Sequence, residues 1–179
     1  EEVPQALPAR LQDGHHDVIV MPLPVQGDDL RGISLFREPL YLAVPADSRL
    51  AKLEYLERRD LKGQAILTLE SGHHLREQVE AICDEFGGEL LSNFEGTSLD
   101  TLRQMVGMGM GVSFLPGLYV HGVLGKDKSV KVMELKGRAM YRTIGMFWRK
   151  TSARSAEFEQ LADDIRETVR RSFPNCLLN

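Results

Sequence analysis

The chain has 179 residues, 42% hydrophobic and 27% charged, with a formal net charge of −4, enough for one domain or two small lobes around a buried core. No Lys/Arg cluster occurs, which excludes a nucleic-acid footprint on this piece, because phosphate backbones select clustered positive charge. No apolar run reaches the length of a membrane span and no signal-peptide pattern opens the chain, so it reads as soluble and cytoplasmic with no membrane partner.

In chain order, Leu7 and Leu11 fall one helical turn apart and Gly14 follows at a capping position, predicting a short helix. Asp17 to Met21 is an apolar run bounded by Gly14 and Pro22, a buried strand, and Leu40 to Val44 is the next one. A short helix is expected around Leu56 to Leu61, then a strand from Ala65 to Leu69. Leu75, Val79, Ile82 and Phe86 form a helical stripe closed by Gly87-Gly88, and Leu90 to Phe94 fits a strand. Thr97-Ser98-Leu99-Asp100 fits a capping box opening a helix with Leu99, Leu102 and Val106 inward. Strands follow at Val112–Leu115, Val130–Leu135 and Tyr141–Trp148, then an amphipathic helix from Ser155 carrying Phe158, Leu161, Ile165 and Val169. This alternation predicts an α/β fold with largely parallel sheets.

Two strand-to-helix turns stand out, Glu70-Ser71-Gly72-His73-His74 and Glu95-Gly96-Thr97-Ser98. At each, helix-start N–H groups and the positive dipole end face outward from the sheet edge, where polar ligands bind in open α/β sheets. Read as local pattern alone, they are two well-capped helices sooner than a ligand site. His73-His74 and His15-His16 invite a metal, but adjacent side chains diverge and no Cys or acidic cluster completes a tetrahedral set, so no metal is assigned. No cofactor fingerprint, GxSxG or P-loop appears, so no catalytic residue and no cofactor are assigned. Met105, Met108 and Met110 read as core filler, and Gly107, Gly109 and Gly111 as a tight passage into the strand at Val112. The two cysteines, Cys83 and Cys176, form no CxxC; Cys83 falls on the apolar stripe and reads as a buried small hydrophobe, Cys176 as exposed tail.

The segment Gly72-His73-His74-Leu75-Arg76-Glu77-Gln78 with Cys83 resembles the sensing segment of the OxyR-like branch of LysR-type transcription regulators. Gly96-Thr97-Ser98-Leu99-Asp100-Thr101-Leu102, with Gly109, Gly111 and Leu115-Pro116, is similar to the segment that follows there, and Leu35 to Leu40 and Arg142 to Gly145 to its strands between lobes. The resemblance runs in one register from about Asp17 to Phe173.

That resemblance implies two Rossmann-like lobes of the type 2 periplasmic-binding-protein fold. Lobe I would comprise residues 1–40 and 144–179 and be N-terminally truncated, the branch's first strand and helix lying ahead of Glu1. Lobe II would comprise residues 41–143. An effector site would lie between the lobes. The implied partners are a small-molecule effector or oxidant, a second copy in a homodimer or tetramer, and DNA through an absent winged helix-turn-helix. The residues assigned to effector binding or sensing are Ser71, Gly72, His73, His74, Cys83, Gly96, Thr97 and Ser98.

One departure stands out: the branch carries its peroxide-attacking cysteine where this sequence has His74, and keeps the partner cysteine as Cys83. Imidazole forms neither a sulfenic acid nor a disulfide. His74 is then a natural variant that senses something else, or a substitution that locks one state of the switch. A hydrogen-bonding group at a helix start remains. The alternative to a regulatory domain is a free-standing solute-binding protein of the same fold; a thiol-peroxidase enzyme would need the missing cysteine.

Overall fold

A computed structural model describes residues 4–25, 27–124, 127–137 and 140–178. The chain divides into two compact units, one of Glu1–Pro39 with Tyr141–Asn179, the other of Leu40–Met140.

The first unit is built on α1 (Leu7–Gln12), β1 (Val18–Pro22), the first part of β2 (Leu30–Pro45), most of β7 (Met140–Arg149), α5 (Ser155–Ser172) and β8 (Leu177–Leu178). Its strands lie in the order β1-β7-β2-β8. β1 runs antiparallel to β7 with Val18 opposite Trp148 and Met21 opposite Gly145. Leu11, Ile19, Met21 and Phe147 bury together. Trp148 is fully buried, its ring centroid 5.8 Å from that of Phe158, and its indole N–H donates to Ser155 Oγ at 3.0 Å. Such a ring is buried with its one donor satisfied, which avoids the penalty of an orphaned polar atom. Glu38 is likewise fully buried and takes a 2.6 Å hydrogen bond from Arg142 Nε, joining β2 to β7.

The second unit holds the rest of β2, β3 (Ala65–Leu69), α2 (His74–Phe86), β4 (Glu89–Gly96), α3 (Leu99–Gly107), β5 (Val112–Pro116), α4 (Gly117–Val123) and β6 (Val130–Met133). The strand order is β6-β2-β5-β3-β4. Four consecutive residues of β3, Ile66 to Leu69, are buried, because α2 and α3 both pack against it. A strand covered on both faces reads as a continuous apolar run rather than an alternation. Leu75, Val79, Ile82, Cys83 and Phe86 of α2 join Leu102, Met105 and Val106 of α3 in this core, each large aliphatic chain contributing about 1.5–3 kcal/mol of burial. Gly87 ends α2 with its N–H on Cys83 O.

The sheets are mixed rather than largely parallel. Among the described strand pairs, β3–β4 and β3–β5 are parallel, whereas β1–β7, β2–β5, β2–β6 and β2–β8 are antiparallel. Parallel pairing needs a return connection of a dozen or so residues, which the stretches carrying α2 and α3 supply on either side of β4. Two further expectations are corrected. Cys176 is buried, because the chain after α5 folds back and Leu177 pairs with Arg37 of β2. Met108 is 70% exposed rather than core, since α3 ends at Gly107 and Met108 belongs to its cap.

Candidate functional site

β3 and β4 run parallel with Leu69 opposite Gly96, so the turns that follow them leave the same edge of the sheet side by side. The Glu70 N–H donates to Gly96 O at 3.1 Å and joins one turn to the other. The structure therefore brings Ser71, Gly72, His73 and His74 next to Gly96, Thr97 and Ser98. Ser71, Thr97 and Ser98 are exposed, Gly72, His73 and His74 are half-buried, and Gly96 is buried.

Sequence dictates each turn locally. Gly72 has φ +97°, a left-handed conformation that side chains resist, and it swings the chain from strand into helix. At Gly96 the need is space: a Cβ there would lie 2.8 Å from Leu102 Cδ2. Leu102 packs there because Ser98 starts α3 at that point, its Oγ accepting from Thr101 N–H at 3.1 Å. The capping residue is thus Ser98, one position later than a box opened by Thr97 would place it. At α2 the N-cap is His73, in extended backbone, and no side chain caps the helix. His74 is its first residue, with Nδ1 3.5 Å from Glu77 Oε2 one turn on.

What holds the uncapped helix is Arg76, which the sequence reading passed over. Its guanidinium donates to Leu69 O at 3.2 Å, to Glu80 Oε1 at 2.7 Å and to Glu95, so it ties α2 to the ends of β3 and β4. The Glu95 hydrogen bond, against an opposing cost of burial, raises the Arg76 pKa. The i,i+4 spacing of Arg76 and Glu80 was a legible signal; the bond to Glu95 was not, since it depends on the register of β3 against β4. A buried orphan lies nearby: Thr68, next to last in β3, has an Oγ1 with no hydrogen-bond partner among the described residues. Cys83, by contrast, is not brought to the turns. It lies nine residues beyond His74, roughly 13 Å along the helix axis, and is buried. Burial first, then the charges of Asp84 and Glu80, pushes its thiol up to about 11. Such a thiol is almost entirely protonated near neutrality and a poor nucleophile.

Chemically, the two turns offer helix-start N–H groups, the Ser71 and Thr97 hydroxyls and two imidazoles, a set suited to holding a polar ligand by hydrogen bonds. Among the described residues no three His, Cys, Asp or Glu side chains are grouped to hold a metal ion. No described helix is long and apolar enough to cross a membrane.

Comparison with known proteins agrees with this architecture. The chain is 36% identical over 169 residues to the DNA-binding transcriptional dual regulator OxyR of Escherichia coli K12, covering 94% of this chain and 55% of that protein. It spans about half the length of the curated relatives it matches. Among solved structures, the oxidized form of OxyR superposes with a TM-score of 0.83 at 35% identity, covering 97% of this chain and 81% of that one. The reduced form gives 0.84 at 34% identity with the same coverage. The expected α/β class, with the type 2 periplasmic-binding-protein fold, is therefore the observed one, and the regulatory-domain reading prevails over a free-standing solute-binding protein. The model of the LysR substrate binding domain matches residues 1–170, and the chain belongs to that family.

Proposed function

We propose that this chain is the effector-sensing domain of a transcription regulator, that its two compact units are lobes I and II of that domain, and that its sensing does not run through thiol oxidation at the α2 start. The observation that supports this best is the pair of adjoining turns with His74 as the first residue of α2. The resemblance assigns the reactive thiol of the OxyR-like branch to that position, and an imidazole there hydrogen-bonds but does not form a disulfide. Ser71, Gly72, His73, His74, Thr97 and Ser98 are the groups a small polar effector would meet; Gly96 shapes the turn and Cys83 packs the core. An effector acts by binding one arrangement of the lobes better than another, since equal affinity shifts nothing. In the whole protein that shift would reach DNA through a separate DNA-binding domain and a homodimer or tetramer, in the cytoplasm, with no catalytic step.

The test is a free-thiol count and intact mass on the purified chain before and after a brief hydrogen peroxide pulse. Survival of both thiols is expected. Oxygen added to Cys83, or a disulfide formed by it, would return the domain to thiol-based sensing and end this reading.

A further inference from the structure

The other end of β3, away from both turns, carries a cavity of about 280 Å³. Ser48, Arg49 and Leu50 from the loop after β2 line it, with Gln64 just before β3 and Met110 and Val112 at the entry to β5. No acidic side chain is in its lining.

Its polar groups are unspent. Among the described residues, Arg49 is the one arginine whose side chain makes no hydrogen bond, ion pair or ring contact. Those elsewhere are committed, as Arg31 is to Glu159, Arg142 to Glu38 and Arg171 to Glu167. The Gln64 carboxamide makes no side-chain hydrogen bond among the described residues. Ser48 Oγ accepts from the Ala51 N–H at 3.2 Å, which leaves its hydroxyl proton free to donate. The lining also carries the apolar residues Leu50, Met110 and Val112.

We propose that this cavity is a binding site for a small carboxylate carrying a short apolar body. A guanidinium fork matches the two oxygens of a carboxylate, and Ser48 and Gln64 supply further donors. The apolar walls cover the body, with Met110 able to adapt its shape. The volume is at the low end for small-molecule sites, which limits the ligand to about one ring or a short chain. A bare phosphate would leave the apolar wall wet, and a neutral apolar molecule would leave Arg49 without its counter-ion.

Amide NMR titrations of the labelled full chain with phenylacetate, phenylacetamide and inorganic phosphate test this. Phenylacetate is expected to shift the Ser48, Gln64 and Gly111 amides saturably. The neutral amide and phosphate should bind about tenfold more weakly or worse, since a charge-assisted contact or the apolar contact is lost. Arg49 is exposed, so R49Q should fold and raise the phenylacetate Kd about tenfold; Q64E, which sets a carboxylate in the lining, should do the same. Equal affinity for phenylacetamide or for phosphate, no saturable shift at these three amides, unchanged affinity in R49Q, or shifts at Gly72 and Gly96 instead would each overturn the assignment.

Discussion

The turns before α2 and α3 leave neighbouring strands at the same sheet edge, yet they are finished in opposite ways. α3 starts on its own side chain: Ser98 accepts from Thr101 N–H, and Asp100 in the first turn takes a 2.7 Å hydrogen bond from the Tyr119 hydroxyl. α2 starts with no side-chain cap and is held from behind by Arg76. A side-chain cap takes one of the free N–H groups of a helix start. At α2 the corresponding N–H, that of Arg76, turns back to His73 O at 2.9 Å, and no side chain caps the helix start. The turn carrying His73 and His74 is thus the one left open by side chains, and the turn carrying Thr97 and Ser98 is the wall beside it.

The largest test of that contrast removes the hold on α2. Arg76→Met leaves Glu95 and Glu80 without their cation and Leu69 O without its donor. The side chains involved are 16%, 30% and 42% exposed, so the loss should fall below that of a fully buried pair, at about 2 kcal/mol in urea unfolding. Amide exchange should speed up at Gly72 and Gly96 together, because Arg76 spans both strand ends. A loss under about 0.5 kcal/mol, the usual scale of an exposed pair, would mean that the turns stand without it.

The caps themselves come next. Ser98→Ala should cost about 1 kcal/mol, the usual worth of an N-cap. His73→Asp should do the reverse and stabilise by about 0.5 kcal/mol, supplying the missing cap at a residue already in extended backbone beside a positive helix end. Unfolding midpoints of the two variants read both signs. If His73→Asp destabilises, the imidazole of His73 has a structural task and the first turn is not open.

How much of this the sequence disclosed follows from the range of the forces involved. The α2 stripe, its end at Gly87 and the strand from Ala65 to Leu69 were legible, because periodicity and an apolar run report burial directly. From its own pattern β2 was legible only from Leu40 onward, and Leu35 to Leu40 entered through the resemblance. Its earlier half, with Arg31, Gly32 and Ser34 exposed or half-buried, carries no apolar run, and its pairing with β8 is set by tertiary contact. α4 was missed because Gly117 and Gly122 break any stripe and it has one buried residue. At the site, the turns and their residue types were visible, but Arg76 was not singled out, since its bond to Glu95 needs the β3–β4 register. Cys176 was misjudged for the same reason: a short tail segment signals exposure until a strand partner across the fold covers it.

The smallest expected effect concerns how α3 is anchored. Arg103 on α3 pairs with Asp127 after α4, as Arg76 on α2 pairs with Glu95. Hydrogen bonds from Ser129, 2.8 Å from its N–H and 2.6 Å from its hydroxyl, together with Arg103, hold the Asp127 carboxyl below its usual range. A depressed carboxyl stabilises the folded chain fully above its unfolded value, near 3.9, and loses that contribution as pH falls through the folded value. Asp127→Asn should therefore lower stability at pH 6, by under about 1 kcal/mol for a pair that is partly screened, and the difference from the parent should close as the acid limb is descended. Urea midpoints of parent and variant at pH 6 and along that limb make the comparison. A difference that stays constant would mean that Ser129 bonds to a neutral acceptor equally well and that charge has no part in anchoring α3, leaving Arg76 as the one charged anchor at this sheet edge.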